Sequence, residues 1–194
     1  MVPESVKNVA DFLMWCKANP KLANFGSPAS GSSPHFIGTL IGKTSGIELR
    51  HIPYRGTQPA ILDMIGGQIA AVVGPTGEFT QHTKSGKCRL LATSDLHRNV
   101  YTPNVPTLNE QGFKELSFSE WYGFFLPANS SKDVVQKLNM QMQAVLSDKD
   151  FLSGLATSYL MPYPTSPSEL AQQLRLDSAR WQRIVAEIGF TPED

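Results

Sequence analysis

The segment Phe25-Gly26-Ser27-Pro28-Ala29-Ser30-Gly31-Ser32-Ser33-Pro34-His35 brings hydroxyls, glycines and a histidine into one short stretch. It reads as a strand end, a Ser/Gly loop and the start of a helix. Such a junction offers unpaired backbone N–H groups, side-chain hydroxyls and the positive end of a helix dipole at one point. The chemistry is that of a site for a small anion, carboxylate or phosphate. Ser27, Ser30, Ser32, Ser33, the N–H groups around Gly31 and His35 are the candidate contacts. The Gly-x-x-x-x-Gly-Lys-Ser/Thr pattern is absent, which argues against nucleotide phosphate. His35 falls on the first helical turn, where a neutral imidazole can donate to a ligand oxygen. A partly buried, hydrogen-bonded histidine is the equal alternative.

Two further loops have the same character. Ile52-Pro53-Tyr54-Arg55-Gly56-Thr57-Gln58-Pro59-Ala60 passes from a strand into a helix, with Thr57 at its start. Gly74-Pro75-Thr76 follows an apolar strand. Ligands on parallel α/β sheets sit beyond the carboxyl ends of the strands, so three such loops on one edge are more persuasive than any one alone.

An enzymatic reading is weaker. A hydrolase built on Ser27 or Ser32 with His35 lacks the Gly-x-Ser-x-Gly elbow. His35, His51, His82 and His97 show no metal-ligand spacing, and no cofactor-binding pattern is present. His51 alternates with apolar residues on a strand, which favours a structural role.

The elements that must position these residues alternate between helical and strand patterns, the signature of an α/β fold with a mainly parallel sheet. Helix is expected over 6–18, strand over 22–26, helix from Ser32 or Ser33 to about Gly46, and strand over 47–52. A helix then runs from Gly56-Thr57 to Gly66-Gly67, followed by strand over 69–73 and a short helix over 79–84. Strands are expected at 87–93 and 118–126, with a short helix after Thr107 ending at Gly112. Thr107-x-x-Glu110 and Ser166-x-x-Glu169 both have capping-box spacing, and Pro167 suits a first helical position. Helices are expected from Ser130 or Ser131, over 150–156, and from Ser166 to Gly189, with one further strand near 159–163. The pattern changes near Trp121-Tyr122-Gly123, from βα alternation to mostly helix. A glycine after two aromatics suggests a bend or a crossing between lobes.

The whole chain bounds these readings. Its 194 residues suit one large domain or two small ones. Apolar residues make up 41% and charged residues 18%, ordinary for a globular protein. Lys plus Arg balances Asp plus Glu at 17 each, and no basic stripe points to nucleic acid. No apolar run approaches the ~20 residues that span a bilayer. Met1-Val2-Pro3-Glu4-Ser5 has neither a basic nor an apolar leader region, so no signal peptide is expected in this chain. Cys16 and Cys88 have no metal spacing and read as buried small hydrophobes, with a mutual disulfide left open.

The ordered set Ile52-Pro53-Tyr54-Arg55-Gly56, Pro59-Ala60, Gly66-Gly67-Gln68, Ser85-Gly86-Lys87, Leu91-Ala92-Thr93, Pro103-Asn104-Val105-Pro106-Thr107, Glu110-x-Gly112 and Trp121-Tyr122-Gly123 resembles the Bug-type periplasmic solute receptors. These are the extracytoplasmic binding proteins of tripartite tricarboxylate transporters. The resemblance covers nearly the whole chain. It implies a type II periplasmic-binding-protein fold of two α/β lobes closing on a small organic carboxylate, without catalysis. It also implies membrane transporter subunits as partners and a periplasmic location. By resemblance the loop from Ser27 to His35 supplies carboxylate contacts of the second lobe, and Gly74, Pro75 and Thr76 line the same cleft.

The resemblance starts about a third of the way into family members. Residues 3–120 are then expected to form the second, ligand-binding lobe with a parallel-rich sheet. Residues 121–194 are expected to be the returning strand and C-terminal helices of an incomplete first lobe. Helices around Leu138 and Trp181 would lack their usual cover, which predicts a dimer or higher oligomer. The alternative to a solute receptor is a structural or interaction module that no longer binds solute.

Overall fold

The computed structural model describes residues 2–191. Helix α1, Val9–Ala18, begins where the Asn8 side chain accepts from the Asp11 N–H, three residues later than its apolar spacing predicts. Pro20–Leu22 then forms a single 3-10 turn and delays strand β1 to Asn24–Ser27. Helix α2, Ser33–Thr44, is capped by Ser32 and carries Pro34 in its first turn, where a missing N–H costs nothing. Strand β2 is Arg50–Pro53, helix α3 is Thr57–Ile65 and strand β3 is Ala71–Val72.

The three strands form a parallel sheet in the order β2-β1-β3. Asn24 pairs with Arg50 and Ser27 with Pro53, while Phe25 and Gly26 face Ala71 and Val72. Two successive βαβ units, β1-α2-β2 and β2-α3-β3, build this sheet, and its central strand β1 is buried along its whole length. Helix α2 lies close on the sheet because Gly38 has no side chain: a Cβ there would sit 2.2 Å from the Phe25 ring. Phe25, Ala60, Ile61 and Cys16 are at the centre of the core. Phe12, Val6 and Ala23 pack with Cys16 on the side of α1.

Beyond β3 the expected pattern is realised only in part. A 3-10 turn at Thr76–Phe79 leads into helix α4, Thr80–Lys84. The strand expected at 87–93 does not form. Thr93 makes one parallel bridge to Thr107, and Pro106, which has no N–H, halts any longer ladder. The capping box at Thr107 is present in both directions, with Glu110 N–H donating to Thr107 Oγ1 and Thr107 N–H to Glu110 Oε2. It caps turns rather than a helix, because Gly112 at φ +92° ends the segment too soon to nucleate one. The strand expected at 118–126 is also not formed. Phe118 N–H reaches Ser94 O, but no strand lies alongside 119–126 among the described residues. No strand forms at 159–163, where Tyr159 adopts φ +57° just after a helix end. Both cysteines are free thiols; Cys16 is buried, whereas Cys88 is only half-buried.

The chain divides into two compact units, residues 2–119 with 185–191, and residues 120–184. The second unit contains helices α5, Lys132–Val145, and α6, Lys149–Thr157, and most of α7, Pro167–Ile188. Ser131 caps α5, and Ser166 forms the expected reciprocal box with Glu169 before α7. Inside this unit Trp121 Nε1–H donates to Asp177 Oδ2 at 2.5 Å, and Asn139 donates to Thr165 O at 2.8 Å. None of these three helices buries a residue, and Tyr122, Phe124, Phe125 and Leu126 are exposed.

Candidate anion-binding site

Because all three strands are parallel, the loops that follow β1, β2 and β3 emerge at one edge of the sheet. Backbone bonds tie them together: Tyr54 N–H donates to Ser27 O at 2.9 Å, Gly56 N–H to Pro28 O at 3.1 Å, and Val73 N–H to Gly26 O at 3.0 Å. The structure thus brings the Ser27–His35 loop, Thr57 and the Gly74–Thr76 loop to the same carboxyl edge.

The hydroxyls of the first loop divide by depth. Ser27 is fully buried; its hydroxyl donates to Ala29 O at 3.1 Å and lies 2.7 Å from His51 Nε2. A carbonyl can only accept, so the single Ser27 proton goes to Ala29 and His51 Nε2 is the donor to Ser27. Ser32 donates to Ala29 O at 2.8 Å and accepts from His35 N–H as the cap of α2. Ser30 is exposed. Gly31 turns the loop at φ +75°, a conformation other residues rarely adopt, and its N–H donates to His35 Nδ1 at 3.1 Å. That bond fixes His35 as the Nε2–H form, so the ring presents a donor from its far side.

His51, which sequence reasoning set aside as structural, supports the whole loop. Its ring stacks on His35 with centroids 3.7 Å apart and planes 16° from parallel. Phe25 lies beneath it at 5.1 Å. Burial, with the neighbouring His35 second, pushes the His51 pKa down to about 4. Burial lowers that of His35 as well. Both rings are therefore neutral hydrogen-bonding groups near pH 7. Phe190, distant in sequence, packs edge-on against His35 at 5.5 Å and was not anticipated. Only the alternation of His51 with Ile47 and Leu49 signalled an inward face; nothing local pointed to Phe190.

Gly56, at φ +103°, starts α3, and Thr57 beside it is buried. Gly74 is pressed against Thr57: a Cβ at Gly74 would lie 2.7 Å from Thr57 Cγ2. Pro75 and Thr76 then open the 3-10 turn. Gln58 on α3 donates to the carbonyl and carboxylate of Glu78, which locks this loop to the helix. Tyr54 points away from the loops and donates to Asp63 at 2.8 Å; burial first, and then Asp63, push its phenol up to about 12.

This arrangement suits binding better than catalysis. Ser27 is sealed from solvent and has spent its proton on a carbonyl, and Ser32 serves as a helix cap. Among the described residues no group of three His, Cys, Asp or Glu side chains is placed to hold a metal ion. No helix among them is long and apolar enough to cross a membrane.

Comparison with known proteins agrees. Residues 2–190 match the tripartite tricarboxylate transporter family receptor, TctC. The chain is 29% identical over 174 residues to protein BugT of Bordetella pertussis, a match that covers 90% of this chain and 53% of BugT. It superposes on the periplasmic binding protein BugD with a TM-score of 0.78 and 26% identity, over 94% of this chain and 62% of that one. A Rhodopseudomonas palustris protein solved with adipate has the same fold at a TM-score of 0.87 and 23% identity, over 98% of this chain and 64% of that one. The chain spans about half the length of the curated relatives it matches.

Proposed function

The chain belongs to the tripartite tricarboxylate transporter receptor family, and from that premise we propose that it is a solute receptor, or the ligand-binding part of one, for a small organic carboxylate. It works in the periplasm and hands its ligand to the membrane subunits of a tripartite transporter. Residues 3–120 are read as one ligand-binding lobe and residues 121–194 as part of the other. The observation that carries the reading is the convergence of three strand-to-helix loops at one sheet edge, with the α2 N-terminus and a neutral His35 donor among them. Helix-terminal N–H groups, hydroxyls and a neutral imidazole neutralise a carboxylate without a fixed cation.

In this reading Ser30 and the Nε2–H of His35 meet the carboxylate from the first loop, whose shape Gly31 and Ser32 hold through their own bonds, and Gly74, Pro75 and Thr76 meet it from the third. Ser27 and Thr57 act from beneath, by holding the loops. A carboxylate ligand is supported by the adipate-bound fold neighbour. Calorimetric titration with adipate, malate and citrate, with a neutral diol of matched length as control, tests the proposal. Heat of binding is expected for at least one acid and none for the diol. A folded protein that binds none of the acids overturns it.

The bare apolar residues of the second unit favour one companion reading, that the chain associates through them. They include Tyr122, Phe124, Phe125 and Met161.

A further inference from the structure

The Ser27–His35 loop is held from outside its own neighbourhood. Phe190 lies just beyond α7, and its ring lies against three loop and helix residues. It meets His35 edge-on at 5.5 Å and 80°, and Phe36 at 5.2 Å and 69°. It also lies against Gly31, where a Cβ would come within 3.1 Å of Phe190 Cζ. Gly31 is the residue whose left-handed backbone turns the loop and whose N–H is bonded to His35 Nδ1. One face of His35 is stacked on His51. His35 thus has two ring neighbours, His51 stacked and Phe190 perpendicular.

Phe190 itself is fixed. Its N–H donates to Val185 O at 3.1 Å, and Gly189 at φ +68° ends α7 and turns the chain toward the loop. One turn earlier, Lys43 at the far end of α2 donates to Glu187 O at 2.5 Å and pairs with the Glu187 carboxylate at 3.7 Å. The end of α7 is therefore pinned along α2, with Lys43 at one end and Phe190 at the other. Residues 167–184 of the same helix belong to the second unit.

We infer that Phe190 is a positioning residue for the carboxylate site: its ring keeps His35 against His51, and so keeps Gly31 and the Nε2–H donor of His35 in their binding geometry. The inference rests on the receptor reading for its ligand, but its structural half stands without one. A ring edge supplies a wall that an aliphatic side chain matches poorly, because the imidazole face and edge have defined partners. Removing the wall frees the ring to turn, breaks the Gly31 bond and lets water reach His35.

The test compares wild type with Phe190→Ala, Phe190→Leu and Phe190→Tyr by NMR of the histidine rings and by adipate titration. In Phe190→Ala the His35 and His51 ring signals are expected to shift and the titration midpoint of His35 to rise toward the ordinary value, because the ring that excludes water has gone. Adipate binding is expected to weaken tenfold or more. Phe190→Tyr is expected to restore both, and Phe190→Leu to keep the fold but not the ring signals. Should Phe190→Ala unfold, Phe190→Leu decides. Unchanged histidine signals and midpoints in a folded Phe190→Leu or Phe190→Ala protein overturn the inference. If wild type binds none of adipate, malate and citrate, the receptor reading fails, and the ligand-free histidine signals still decide the role of Phe190.

Discussion

The imidazoles of His35 and His51 lie face to face, 3.7 Å apart, although one begins a helix and the other sits in a strand. Stacked at that distance, neither ring readily accepts a proton, because two adjacent positive rings repel and burial already penalises the charge. The unfolded chain has no such penalty, with ordinary histidine values near 6.5. Between that value and about 4, the folded value of His51, the unfolded chain binds more protons than the folded one. Stability from this pair is therefore fully present above pH 6.5 and is lost as pH falls toward 4. For rings that are only half-buried, solvent screening reduces the effect to ~1–2 kcal/mol. Urea unfolding at pH 7 and pH 4.5 measures it, and His51→Gln is expected to flatten the difference.

Ser27→Ala removes the acceptor for His51 Nε2–H in a place where no water reaches the serine. An unpaired donor of this kind costs about 1–3 kcal/mol. The midpoint of urea unfolding is expected to fall at pH 7 with no change in slope. An unaltered midpoint would show that the 2.7 Å contact contributes nothing to stability.

Gly74→Ala places a methyl 2.7 Å from Thr57 Cγ2, and both atoms belong to loops that meet at the sheet edge. Overpacking of this size costs about 1–3 kcal/mol. Lower thermal stability and weaker carboxylate binding are expected together, since the loop must move. Thr57→Ser deletes Cγ2, so the double variant is expected to recover much of the loss. A double variant as damaged as Gly74→Ala alone would place the strain elsewhere.

Ser32→Ala removes the cap of α2 and costs about 0.5–2 kcal/mol. It also opens one bond to Ala29 O and one to His35 N–H. Adipate binding is expected to weaken more than the stability loss alone explains, and calorimetry beside thermal melting separates the two.

The second unit has no buried residue on α5, α6 or α7, and Tyr122 and Phe124 are 72% and 79% exposed. Self-association is expected above micromolar concentration, read by light scattering. Tyr122→Ser with Phe124→Ser is expected to reduce it, and a strictly monomeric wild type would refute it.

Legibility followed the range of the interaction. Ser32, Ser131 and Ser166 cap helices through bonds to residues three positions on, as the sequence reads, the Asn8 cap is not legible in the apolar spacing, and the glycine-ended helices stop where a left-handed residue stands. The strands at 87–93 and 118–126 were misread for the opposite reason. Leu90, Leu91 and Thr93 in the first and the aromatic residues of the second suit a strand, but a strand exists only beside a partner, and Pro106 denies one while 119–126 meets none among the described residues. The candidate site was legible as a set of loops and not as a set of bonds. Ser27 and Ser32 look alike in sequence, yet one is sealed beneath the loop and the other caps a helix.

By itself the sequence determined the alternating α/β order of the first strands and helices, the caps of α2, α5 and α7, and the chemistry of the three loops, because each depends on residues only a few positions apart. Only the tertiary structure decided which groups remain for a ligand. It set Ser27 against His51, stacked His35 on His51 and brought Phe190 across more than half the chain to the same ring. Each hydroxyl and each N–H has a single proton to give, and the packing of distant residues determines where it goes.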